Sequence, residues 1–130
     1  YTVVAFTDSI AAFNHIQRSP EEFGLVISDY RMPQMNGYEL CTKLVHLNSH
    51  IKVILISAYD LLERDNPTFT FLHKPISTAK LVSVVNEAIT KSMSDVKSIN
   101  ALNPSELFFP SILTPHYPNH ISLHIYSIFL

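Results

Sequence analysis

Three residue types that can do chemistry together stand at equivalent places in this sequence: a carboxylate at Asp29, a hydroxyl at Ser57 and an ammonium at Lys74. Each comes after a short, mainly apolar run. Gly24-Leu25-Val26-Ile27-Ser28 leads into Asp29, Lys52-Val53-Ile54-Leu55-Ile56 into Ser57, and Phe69-Thr70-Phe71-Leu72-His73 into Lys74-Pro75. If the runs are parallel strands of one sheet, their C-terminal ends share the edge where open α/β folds bind ligands, and the three groups converge. An aspartate in such a crevice can be a base, a metal ligand or a nucleophile, and carboxylate nucleophiles that form aspartyl phosphates are an established type. A lysine at the rim would pair with transferred oxygens, and a serine hydroxyl can bond one of them.

Each residue also has a plainer use. A strand-end aspartate is often a helix N-cap, a lysine is mostly a solvated surface cation, and a serine closing a strand commonly caps the short segment after it. Asp29, however, lies eight residues before Gly37, with Met32-Pro33 and Met35-Asn36 between them. That spacing assigns it to the top of a sheet rather than to a helix terminus.

The elements needed to position these groups are legible from periodicity. Thr2 to Phe6 predicts a strand, and Asp8-Ser9 offers N-cap oxygens to a helix with Ile10, Phe13 and Ile16 on one face. Leu25 to Ser28 is apolar as strands covered on both faces are, and after Gly37 a helix presents Tyr38, Cys41, Leu44, Val45 and Asn48, with Leu40 and Leu47 flanking. Lys52 to Ile56 predicts a third strand. The segment Ala58 to Asn66 holds only a short helix before Pro67, Phe69 to His73 makes a fourth strand, and Ser77-Thr78 caps a helix through Leu81, Val82, Val85, Ala88 and Ile89. The pattern is (βα)4, which implies a parallel sheet with right-handed crossovers and helices on both faces.

A chain of 130 residues is one domain's worth. Composition changes after Lys91, so we place a boundary near residue 95, with a domain over 1–95 and an irregular tail over 96–130. In that tail Ile121 to Leu130 is β-prone and nearly uncharged, an association risk. His116, His120 and His124 are spaced as on one face of a helix, but Pro118 between them argues against a helical metal site. A net charge of -2 offers no field for a nucleic-acid backbone. Proline-interrupted apolar stretches predict no membrane span, and the single Cys41 leaves a cytoplasmic placement as the default. Tyr1 is preceded by no initiator methionine or signal pattern, so the sequence reads as a fragment.

Taken together, Asp29 with Met32-Pro33-x-Met35-x-Gly37, then Ser57-Ala58, then Lys74-Pro75, resembles the receiver domain of two-component response regulators. The resemblance runs from Tyr1 to about Lys91. It implies a flavodoxin-like (βα)5 sheet, Asp29 as phospho-acceptor, Mg2+ as cofactor, a histidine kinase or phosphotransfer protein as donor, and an output protein or domain downstream. By the same analogy Ser57 is the switch hydroxyl, Lys74 pairs with the phosphoryl group, Phe71 is the switch aromatic, Lys74-Pro75 is a cis bond, and Arg31 gives its backbone carbonyl to Mg2+. Such a domain is a signalling module rather than an enzyme.

The sequence departs from that family in lacking its first strand, first helix and acidic pair, in the short interval from Ser57 to Lys74, and in its tail. Asp29 with one carbonyl is a poor site for an ion that wants near-octahedral oxygen coordination. The alternative is therefore a non-phosphorylated interaction module of receiver shape. A flavin-binding protein of flavodoxin type is disfavoured by the absence of a phosphate loop.

Overall fold

The computed structural model describes residues 2–60 and 68–100, with 92–100 as backbone only. In chain order it contains helix α1 (Ser9–Ile16), a 3-10 turn (Pro20–Glu22), strand β1 (Leu25–Asp29), helix α2 (Gly37–Leu47), strand β2 (Lys52–Ser57), strand β3 (Phe69–His73) and helix α3 (Thr78–Asn100). The strands form a parallel sheet in the order β1-β2-β3. Register pairs Asp29 with Ile56 and Ser57 with His73, so the three C-terminal ends are level to within a residue.

Side chains alternate across the sheet with the period of two that an extended backbone imposes. Val26, Val53, Leu55 and Phe69 join Ala12, Ile16, Phe23, Leu40, Cys41 and Leu44 in a core under α1 and α2. Leu25, Ile27, Ile54 and Leu72 face the other way and pack against Val84, Val85 and Ile89 of α3. Helices thus cover both faces of an α/β sheet of flavodoxin-like type. The strands read as nearly continuous apolar runs because neither face meets water.

The helix starts are set by side-chain caps. Asp8 Oδ1 accepts from Ala11 N at 2.6 Å, Asn36 Oδ1 from Glu39 N at 2.8 Å, and Ser77 Oγ from Lys80 N at 3.1 Å. Ser9, expected as a second cap of α1, instead donates from Oγ to the Pro33 carbonyl at 3.3 Å.

Three expectations need correction. Thr2 to Phe6 forms no strand, so three strands rather than four are found among the described residues. A strand is a ladder as well as a sequence, and this segment pairs with neither edge strand of the described sheet. It packs through side chains instead: Val4 and Phe6 lie on the first core, with the Phe6 ring 5.2 Å from that of His15. Leu47 and Val82 lie open to solvent, 46% and 51% exposed, while Val84 is buried. Each stands seven residues from a buried position of its own helix, Leu40 and Ile89, about 20° round the axis, so its place near the helix end rather than its face leaves it uncovered. The tail from 101 onward, with Ile121 to Leu130 and its histidines, and most of Ala58 to Asn66, lie outside the described residues.

Candidate functional site

Asp29 ends β1 and Ser57 ends β2; Lys74 directly follows β3. The structure brings two of the three into contact, with Lys74 Nζ 3.1 Å from Asp29 Oδ2. The carboxylate is half-buried at the mouth, 17% exposed, and the lysine side chain 35%. This exposure makes the pair of little worth to stability and leaves both groups open to a substrate. The Lys74–Pro75 peptide bond is cis.

The third member, Ser57, is buried, and its Oγ accepts from Tyr59 N at 3.0 Å. Its hydroxyl is therefore engaged with its own loop. Backbone bonds tie the strand ends together: Lys74 N donates to the Ser57 carbonyl at 2.8 Å and Tyr30 N to the Ile56 carbonyl at 2.8 Å. Phe71 stands on β3 two residues before the end, partly buried on the α2 side, in a row of rings with Phe69 (6.3 Å) and, through it, Tyr38 (5.4 Å).

The loop from Asp29 to α2 is held at several points. Gly37 N donates to the Tyr30 carbonyl at 2.9 Å, and the Ser28 hydroxyl donates to the Asp29 carbonyl at 3.0 Å. Gly37 has no room for a side chain, because a Cβ there would run into the Asp29 carbonyl oxygen. Gln34 turns the loop with φ 68°. An open depression lined by Tyr30, Arg31, Met32, Pro33 and Asn36 lies beside it.

Sequence reasoning missed Ser9 and Ser28 as supports of this loop, and it missed the side chain of Arg31. Arg31 Nη1 donates to Tyr59 Oη at 3.1 Å, with the guanidinium 5.3 Å from the ring centre. A signal did exist: Arg31 lies two residues past the end of β1 and Tyr59 two past the end of β2, on paired strands.

As for Mg2+, the ligands that the resemblance implies among the described residues are the Asp29 carboxylate, already facing Lys74, and the Arg31 backbone carbonyl. Among the described residues no group of three or more His, Cys, Asp or Glu side chains comes together. The Asp8 carboxylate is occupied in capping α1. Two donors do not fit an ion that needs six.

Residues 1–86 match the sequence model of the response regulator receiver domain. The chain belongs to the receiver domain family. Its relatives include the transcriptional regulatory protein HptR of Staphylococcus aureus, 29% identical over 126 residues that make up 92% of this chain and 48% of HptR. The sensor kinase CckA of Brucella abortus is 33% identical over 96 residues, 70% of this chain and 10% of that protein. The probable transcriptional regulator ycf29 of Pyropia yezoensis is 31% identical over 110 residues, 78% of this chain and 50% of ycf29. This receiver chain spans about half the length of HptR and of ycf29. A solved two component transcriptional regulator AraC from Clostridium phytofermentans ISDg shares the fold, with a TM-score of 0.60 at 23% identity over 70% of this chain and 71% of its own.

Membership places the receiver in two-component signalling, in a family of signalling domains. No helix among the described residues is long and apolar enough to cross a membrane.

Proposed function

We propose that this receiver takes a phosphoryl group onto Asp29 from a histidine kinase or phosphotransfer protein and passes the change to an output protein or domain. The observation that carries the reading is the 3.1 Å contact between Lys74 Nζ and Asp29 Oδ2 at the C-terminal edge of the sheet. In the step, an Asp29 carboxylate oxygen attacks phosphorus, the phosphorus–nitrogen bond to the donor imidazole breaks, and the imidazole nitrogen leaves with the electron pair and takes up a proton. Negative charge grows on the equatorial oxygens. A preplaced ammonium there stabilises that charge without reorganising, which is worth more in a half-buried crevice than in water.

Ser57 supports the readout. Its oxygen accepts from Tyr59 N, which leaves its own O–H to donate to a phosphoryl oxygen once the side chain turns toward Asp29. Because Lys74 N is bonded to the Ser57 carbonyl, movement at β2 passes to β3 and to Phe71, whose ring row runs to Tyr38 on α2. Mg2+ is the family's usual companion ion. Asp29 and the Arg31 carbonyl are the ligands these residues provide toward it, and no step above depends on it.

The test is intact-mass measurement of the full-length protein after treatment with acetyl phosphate and Mg2+, comparing wild type with Asp29→Asn. One phosphoryl group is expected on the wild type and none on the variant. Equal uptake by both would displace Asp29 as acceptor, and no uptake by the wild type would favour the interaction module that is never phosphorylated.

A further inference from the structure

We infer that Ser28 is a positioning residue for phosphoryl transfer: its buried hydroxyl pins the peptide unit that follows Asp29 and so keeps the carboxylate facing Lys74. The inference rests on the reading of Asp29 as phospho-acceptor and deepens it. Ser28 is 1% exposed, and its Oγ donates to the Asp29 carbonyl at 3.0 Å. Met32 Sδ, at 3.8 Å, is the weaker acceptor within reach. A hydroxyl has one proton to give, and the carbonyl takes it.

The strand ladder leaves that carbonyl to the side chain. Lys52 N donates to the Gly24 carbonyl and Tyr30 N to the Ile56 carbonyl, so the even-numbered residues at both ends of β1 turn their backbone groups toward β2. The Asp29 carbonyl shares a peptide unit with the Tyr30 N–H and, the unit being planar and trans, points the opposite way. β1 is an edge of the described sheet, and no described strand meets the carbonyl on that side. One peptide unit is thus held at both ends, by β2 through its N–H at 2.8 Å and by Ser28 through its C=O at 3.0 Å. Gly37 closes around the same spot, where a Cβ would run into both the Asp29 carbonyl oxygen and Ser28 Oγ.

The consequence reaches the acceptor through the backbone. The Asp29 Cα lies between the ladder and the pinned unit, so a swing of that unit moves the Cα and the carboxylate it carries. From its present place the carboxylate reaches Lys74 Nζ at 3.1 Å. Stabilisation by a preplaced charge depends on such placement, and a displacement on the order of 1 Å can cost ~10² in rate. The position itself asks only for a small or apolar side chain: Val26, two residues earlier on the same side of β1, lies in the core under α1 and α2. A hydroxyl buried there is costly unless bonded, and the bond it makes is to the acceptor residue's own carbonyl.

The experiment treats the full-length protein with acetyl phosphate and Mg2+ and follows the initial rate of phosphoryl uptake by intact mass. Ser28→Ala removes the hydroxyl. Ser28→Thr and Ser28→Val form a second pair of nearly equal volume, of which only the first keeps a hydroxyl, so crowding by the added atoms falls on both. Each variant is also measured together with Lys74→Ala. Uptake by Ser28→Ala is expected to be roughly five- to tenfold slower than wild type, and Ser28→Val slower than Ser28→Thr by a similar factor, a scale between the loss of one hydrogen bond and the misplacement of a reacting group. With Lys74→Ala the factor should shrink to less than about twofold, because no ammonium is left for the carboxylate to be aligned with. A purely structural role would lower the folded fraction alike in both backgrounds, and the factors would multiply. That result, or wild-type uptake by Ser28→Ala with equal rates for Ser28→Thr and Ser28→Val, would overturn the positioning role while leaving Asp29 as acceptor. A wild type that takes up no phosphoryl group would overturn the acceptor reading, and the positioning role with it.

Discussion

Replacing Gly37 with alanine is expected to damage this receiver out of proportion to the one methyl group it adds. The new Cβ would meet the Asp29 carbonyl oxygen, lie 2.8 Å from Ser28 Oγ and 3.0 Å from the Asp29 carbonyl carbon. The Ser28 hydroxyl can rotate away only by giving up its bond to that same carbonyl. The carbonyl cannot yield alone, since the next residue is bonded through its N–H to Ile56 and through its C=O to Gly37. No glycine among the described residues has a positive φ, so the backbone conformation is open to alanine and the whole effect is collision. In alanine's favour stands helix propensity, at most ~1 kcal/mol and less at a first position. Against it stand overpacking at ~1–3 kcal/mol and one or two weakened hydrogen bonds at ~1 kcal/mol each. The balance is a loss of about 2 kcal/mol, which for a domain of this size lowers the melting temperature by roughly 8–15 °C. Thermal unfolding monitored by circular dichroism measures it. Phosphoryl uptake should fall as well, because the displaced atom belongs to Asp29, the proposed acceptor. A melt within about 2 °C of wild type would refute the steric reasoning.

Lys74→Ala should separate stability from chemistry: the exposed pair with Asp29 contributes at most ~1 kcal/mol to folding. Loss of a preplaced donor should slow phosphoryl uptake by ~10²–10³, and a rate slowed less than about tenfold would remove Lys74 from that role. Cys41 is fully buried in α2, and burial pushes its thiol well above the ordinary range, so a disulfide reagent at pH 8 should react with it only as fast as the domain opens. The folded value lies above the unfolded one, so this contribution is whole below the unfolded thiol value and is lost as pH rises past it. Urea midpoints should therefore fall between about pH 8 and 10 in the wild type and less so in Cys41→Ala, and rapid labelling of the native protein would contradict the burial.

Which features could be read in advance depends on how each is determined. Leu25 to Ser28 and Lys52 to Ile56 are apolar on both faces, and that alone implies a covered parallel sheet whose ends are level; the nearness of Asp29 and Lys74 is a consequence of that register. Thr2 to Phe6 has the same local character yet forms no ladder, because a strand requires a partner that its own residues do not encode. Leu47 and Val82 share the apolar side of their helices, and only the packing of α2 and α3 decides how far along each helix that side is covered. The motif glycine was visible as a letter. Its reason, the Asp29 carbonyl lodged where a Cβ would go, depends on the path of a loop turned at Gln34 and supported by Ser9. Arg31 and Tyr59 lie further still from sequence reasoning, being 28 residues apart and brought together only by the pairing of β1 with β2. Residues at strand ends are thus marked by the strands themselves, whereas residues that hold or cover them are marked by loops, whose geometry is settled by what they pack against. In this receiver Asp29 and Lys74 belong to the first kind, and the Arg31–Tyr59 pair belongs to the second.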